Sequence, residues 1–228
     1  MGPTSPQSAT FLVTTNPSYY YYRQDAEKVA KKISMYQRKD HFYKKAKKEG
    51  LASRAAYKLL EIQEKYKIWR AGRAILDLGS APGGWLEILS KEVGPQGKIV
   101  GVDRLPLHIV PKGNVHFIQK DIEQEPLEAD LGSEQFDVIL SDLSPNLSGI
   151  AFRDTYRSFE LTKKVWELAQ QFLKKNGSLV IKIFPGEENQ KLQKEMKPNF
   201  FQFSTFIPEA TRKTSSEVYL VAKGFKGG

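Results

Sequence analysis

A lysine within an apolar strand is costly to bury unless something pairs with it, and Lys182 occupies such a place in Val180-Ile181-Lys182-Ile183-Phe184. Burial lowers a lysine pKa and adjacent carboxylates raise it. A site that needs a lysine to orient or deprotonate a hydroxyl balances the two effects. A carboxylate is available in Asp142, where Ser141-Asp142-Leu143-Ser144-Pro145-Asn146 follows the apolar run Phe136–Leu140. Glu217, at the head of the run that begins Glu217-Val218-Tyr219, could add a second negative charge, and Lys58, in a helical stretch, a second cation. These four form a Lys-Asp-Lys-Glu set, with one member on a helix and three at strand positions.

A second constellation reads as a small-molecule turn. Asp77-Leu78-Gly79-Ser80-Ala81-Pro82-Gly83-Gly84-Trp85 joins an apolar strand to a helix, and its glycines permit a tight turn with close backbone approach to a ligand. The spacing differs from the Gly-x-Gly-x-x-Gly of nicotinamide and flavin binders, and Asp77 stands just before the turn, which disfavours pyrophosphate. Asp103 follows the second strand, where a carboxylate can hold a ribose diol, and Asp121 follows the third, where it can accept from an adenine amino group. Three aspartates at successive strand ends, on the face where open α/β sheets bind ligands, fit adenosine.

The elements that must position these groups follow from periodicity. After Gly72, short apolar runs at 74–78, 98–102, 115–118, 136–141 and 178–184 alternate with helical stretches, the signature of a doubly wound parallel sheet. A helix is predicted over 155–174, with Leu161, Val165, Leu168 and Phe172 on one face and Asn176-Gly177 ending it. Another is expected near 187–197, then β runs at 200–207 and 216–223. Ser53 can cap a helix that carries Ala56, Leu59, Leu60 and Ile62 down to about Lys67.

Charge is concentrated at the other end of the chain. Of the net +9, residues 1–68 contribute 14 Lys+Arg against 6 Asp+Glu, leaving 21 against 20 for the rest. A near-neutral body with a basic N-terminal arm is the footprint of a phosphate-backbone binder. Residues 1–24 read as a tail, residues 25–50 as a basic helical RNA-binding extension with Tyr36, Phe42 and Tyr43 among the lysines, and 51–228 as the catalytic domain. With no cysteine and three scattered histidines, disulfides and thiolate chemistry are excluded, and no metal site is expected. No apolar run is long enough for a membrane span, so a cytoplasmic protein, a monomer without a membrane partner, is expected.

Ser53-Arg54-Ala55-Ala56-Tyr57-Lys58-Leu59, DLGSAPGGW, SDLSPN, VIKIF and TSSEVY, in this order, resemble the RrmJ/FtsJ family of ribosomal RNA 2′-O-ribose methyltransferases over residues 40–224. The resemblance implies a Rossmann-like class I fold, a seven-stranded, mostly parallel sheet with helices on both faces, and S-adenosylmethionine as cofactor. It makes Lys58, Asp142, Lys182 and Glu217 the catalytic residues and sets Gly83, Trp85, Asp103, Asp121 and Asp142 around the cofactor. The expected substrate is a uridine in the A loop of 23S rRNA, with the large ribosomal subunit or its rRNA as partner. A tRNA anticodon loop, an mRNA cap, or a non-catalytic role in RNA binding or ribosome assembly are the alternatives.

Overall fold

The computed structural model describes residues 54–146, 148–211 and 215–227. The expected tail, the basic extension and the Ser53 cap lie outside them. The described chain runs α1 (Arg54–Tyr66), β1 (Ala74–Leu78), α2 (Gly84–Val93), β2 (Lys98–Asp103), β3 (Val115–Gln119), α3 (Glu128–Leu131), β4 (Phe136–Ser141), α4 (Ala151–Phe172), β5 (Leu173–Ile183), α5 (Glu187–Met196), a 3-10 turn (Lys197–Asn199), β6 (Phe200–Phe206) and β7 (Val218–Phe225). Among these helices none is long and apolar enough to cross a membrane.

The seven strands form one sheet in the order β3-β2-β1-β4-β5-β7-β6. The first five are mutually parallel, and β7 is antiparallel to both β5 and β6, so β7 alone runs against the rest. Central strands of a sheet covered on both faces read as continuous apolar runs rather than alternating ones, and Ile75, Leu76, Ile139, Leu140, Leu179 and Val180 are all fully buried. The predicted stripe of α4 is the face it buries: Leu161 is buried, and Val165, Leu168 and Phe172 share one core with Leu76, Ile139, Leu179 and Leu220. Strand order reverses between β1 and β4, which places the expected ligand crevice at the C-terminal ends of those two strands.

Several boundaries differ from the sequence expectation. The long helix begins at Ala151 rather than Thr155 and stops at Phe172, because Leu173 is already extended (φ −85°, ψ 125°) and pairs with Phe136. Asn176-Gly177 therefore does not end the helix. It closes a bulge inside β5, where pairing jumps from Phe136↔Leu173 to Val138↔Ser178, and Asn176 takes the left-handed conformation (φ 65°) that lets the extra residues loop out. The last strand starts at Val218, leaving Glu217 just ahead of it.

Candidate active site

The turn after β1 is built by close approach. Gly79 has φ +84°, and a Cβ there would stand 2.9 Å from the backbone nitrogen of Leu143; at Gly83, with φ +116°, it would stand 2.5 Å from Cγ1 of Ile109. Side chains are excluded from both positions. The turn is tied to its neighbours on either side. Gly79 N–H donates to Val102 O (2.8 Å), Asp142 N–H donates to Leu78 O (3.1 Å), and Asp103 accepts from Ala81 N–H through Oδ2 (2.9 Å) and from Leu105 N–H through Oδ1 (2.9 Å). The segment after β2 folds back over the turn, with His108 N–H donating to Pro82 O (3.0 Å).

Beneath this turn lies one of the three strand-end aspartates expected to fit adenosine. Asp77 is fully buried, and neither carboxylate oxygen has a hydrogen-bond partner among the described residues; the hydroxyls of Ser80 and Ser141 are likewise buried and without a partner among them. Burial first, and then the carboxylates of Asp142 and Asp103, push the Asp77 carboxyl well above its ordinary range. Three carboxylates thus converge at the ends of β1, β2 and β4, an environment complementary to a ligand that carries positive charge. Asp121 serves its own turn, accepting from Glu123 N–H (3.0 Å). Trp85 is buried and its indole N–H donates to Ala55 O (2.7 Å), which fixes α1 against α2.

The four chemistry-bearing residues meet at the same edge. Lys182 is nearly enclosed, its side chain 8% exposed, with Nζ donating to Asp142 O at 2.6 Å and lying 3.1 Å from Asp142 Oδ1. Lys58 on α1 pairs with Glu217. Tyr219, missed from the sequence, joins the two pairs: its hydroxyl donates to Asp142 Oδ1 (2.5 Å), and Lys58 Nζ lies 5.9 Å from the centre of its ring. The reversed strand explains the meeting. In register, Lys182 faces Tyr219 and Ile183 faces Val218, so β7 brings its first residues, not its last, to the ligand edge.

Tyr219 is fully buried, and its hydroxyl is held well above its ordinary pKa, chiefly by burial and then by the Asp142 charge, so it remains a donor. Tyr219→Phe keeps the ring and removes one donor from Asp142. The variant is expected to lose about 1 kcal/mol of stability and roughly tenfold in turnover, read from thermal melts and initial rates.

Residues 51–225 match the family model described as FtsJ-like methyltransferase. The chain belongs to the FtsJ-like methyltransferase family. It is 41% identical over 192 residues to a protein of Stutzerimonas stutzeri named ribosomal RNA large subunit methyltransferase E, covering 82% of this chain and 92% of that one. A Bdellovibrio bacteriovorus protein of the same name is 40% identical over 191 residues, covering 82% and 96%. Among solved structures, one described as a ribosomal RNA methyltransferase from Plasmodium falciparum is similar with a TM-score of 0.66 and 32% identity, over 77% of this chain and 99% of that one. This FtsJ-like enzyme uses S-adenosylmethionine as methyl donor. The residues fit that group: its sulfonium and ammonium are cations, and the orphaned Asp77 carboxylate with Asp103 and Asp142 is an anionic cradle for them.

Proposed function

We propose that the chain methylates a ribose 2′-hydroxyl of large-subunit ribosomal RNA, a uridine in the A loop of 23S rRNA. The observation that carries this reading is the lysine pair, Lys182 on Asp142 and Lys58 on Glu217, joined by Tyr219 beside the glycine turn. The shared name of the curated relatives supports the choice of RNA.

S-adenosylmethionine supplies an electrophilic methyl carbon, so the protein contributes alignment rather than covalent chemistry. Asp103 holds the cofactor ribose, Asp121 the adenine amino group, and Gly83 and Trp85 shape the pocket. Lys182 orients the 2′-hydroxyl. With Asp142 against it, the pair receives the proton released as the oxygen–carbon bond forms. Glu217 fixes Lys58, which positions the ribose, and Tyr219 holds the Asp142 carboxylate in place. The basic residues 25–50 add sequence-independent contacts to phosphates, and the enzyme works as a cytoplasmic monomer on the large subunit or its rRNA.

The test is to incubate the protein and S-adenosylmethionine with large ribosomal subunits, free rRNA or tRNA and to map 2′-O-methylation by primer extension at low dNTP. One new stop within the A loop is expected. Methylation of tRNA instead would overturn the choice of RNA, and no ribose methylation on any RNA would overturn the reaction.

A further inference from the structure

The first two turns of α4 carry side chains that their own packing does not explain. Seven large apolar residues are exposed among those described, and three of them, Ile150 (58%), just ahead of the helix, Phe152 (84%) and Tyr156 (46%), fall within seven positions of one another. Phe152 and Tyr156 are four residues apart, so they share one helix face, and the Tyr156 ring is backed by Phe159 with centroids 5.8 Å apart. Arg153 and Arg157 repeat the same spacing beside them, and both are exposed. A third exposed arginine, Arg104, reaches across from the end of β2 and donates to Asn146 Oδ1 (2.9 Å), while Arg157 donates to the carbonyl of the same Asn146 (3.1 Å). The carboxylate in these turns, Asp154, is buried and fully engaged.

This face is fixed at the rim of the reacting site. Asp154 accepts from Ser148 N–H (2.7 Å), Ser148 Oγ (2.7 Å) and Gly149 N–H (3.1 Å), which ties the helix start to the segment that leaves Asp142. On the other side Phe184 N–H donates to Ser158 Oγ (3.0 Å), and a Cβ at Gly186 would stand 2.2 Å from the Thr155 methyl, which ties the helix to the segment that leaves Lys182. The aromatic face thus flanks both strand ends that supply the chemistry.

We infer that Phe152 and Tyr156 form a stacking platform for unpaired bases next to the nucleotide whose ribose enters the site, with Arg104, Arg153 and Arg157 taking the neighbouring phosphates. The inference rests on the RNA reading above and adds how the strand is held. A lysine as enclosed as Lys182 meets a ribose hydroxyl only on a strand splayed out of its duplex, and such a strand presents base faces that stack on aromatic side chains. Two rings ringed by arginines suit one or two bases. A protein interface needs on the order of 1,000 Å², far more than two side chains supply.

The test uses the full chain with Phe152→Ala and Phe152→Trp, free rRNA as substrate and a short single-stranded RNA as binding probe. Phe152→Ala is expected to raise KM for rRNA by about 5- to 150-fold, the range of one lost stack, with kcat and the dissociation constant of S-adenosylmethionine within about twofold of wild type. Phe152→Trp is expected to keep KM and to lose indole fluorescence on adding the RNA, against a background of three native tryptophans that are all buried. An unchanged KM in Phe152→Ala, or no quench in Phe152→Trp, overturns the platform. A Phe152→Ala defect confined to assembled subunits would assign the face to a ribosomal protein, and a loss of self-association would assign it to a second copy; either overturns it too. The quench needs no turnover, so a quench with an inactive wild type would sink the methylation reading and leave the platform standing.

Discussion

Replacing Lys182 with Ala is expected to lower methyl transfer by about 10²- to 10⁴-fold, the range for removing a positioned proton-transfer group, while leaving S-adenosylmethionine affinity within about twofold. The geometry argues for both halves of this result. Lys182 Nζ is bound on one side by the Asp142 carbonyl and carboxylate, at 2.6 and 3.1 Å, and its side chain is almost wholly enclosed, so its remaining hydrogen-bonding capacity faces the reacting position rather than bulk solvent. The truncated variant keeps the other ties of the site, because Tyr219 continues to donate to Asp142 and Glu217 continues to hold Lys58. The glycine turn is anchored by Gly79 N–H on Val102 O and by Ala81 N–H on Asp103, hydrogen bonds in which Lys182 has no part. Lys182→Met, which preserves most of the volume, separates lost chemistry from a lost contact: both variants should fail alike in single-turnover measurements and bind cofactor alike in titration calorimetry. Retained turnover in either would remove Lys182 from the reaction.

Asp77→Asn carries the second large effect, and it moves two quantities in opposite directions. The carboxylate is buried with no partner among the described residues and lies close to two other carboxylates, so it is costly in the cofactor-free protein. The folded-state pKa lies above the unfolded one, which means the folded protein holds the extra proton between the two values and stability falls as pH rises through that window. The amide lacks this slope. The cofactor-free variant is therefore expected to melt higher than wild type at pH 7 to 8, with the difference closing below pH of about 4, where the carboxyl is protonated in folded and unfolded chains alike. Against this gain, loss of the anion should weaken S-adenosylmethionine binding by roughly 10- to 100-fold, the worth of a charge-assisted hydrogen bond. A variant that melts lower and binds unchanged would show that Asp77 is structural and that the cofactor does not engage it.

Much of this was legible in the chain because central parallel strands leave little ambiguity. The runs at 74–78 and 136–141 coincide with β1 and β4 to the residue, and the i, i+4, i+7, i+11 stripe of α4 is the face that packs. What escaped was set by partners far away in sequence. Asn176-Gly177 was read as the end of a helix; Asn176 does take a left-handed conformation, but pairing of Leu173 with Phe136 put it inside a strand. Tyr219 looks like an ordinary strand residue until its partner Asp142, 77 positions earlier, is beside it. Asp77 could have been found by the reasoning that singled out Lys182, since both are charges embedded in apolar strands; Asp77 was instead absorbed into the description of the turn.

The reversed final strand has a consequence for how the enzyme comes into being. β7 is the last of the described elements in sequence, yet it inserts between β5 and β6 and delivers Glu217 and Tyr219 to the ligand edge. Synthesis proceeds from the N-terminus, so the strands that carry the donor turn, β1 to β4, leave the ribosome well before the strand that completes the reacting pairs. A nascent chain can thus have built much of its cofactor cradle while still lacking the tyrosine that holds Asp142 and the glutamate that holds Lys58. Competence therefore waits for β7, and its insertion is also what joins β6 to the sheet, since β7 pairs with β5 on one side and β6 on the other.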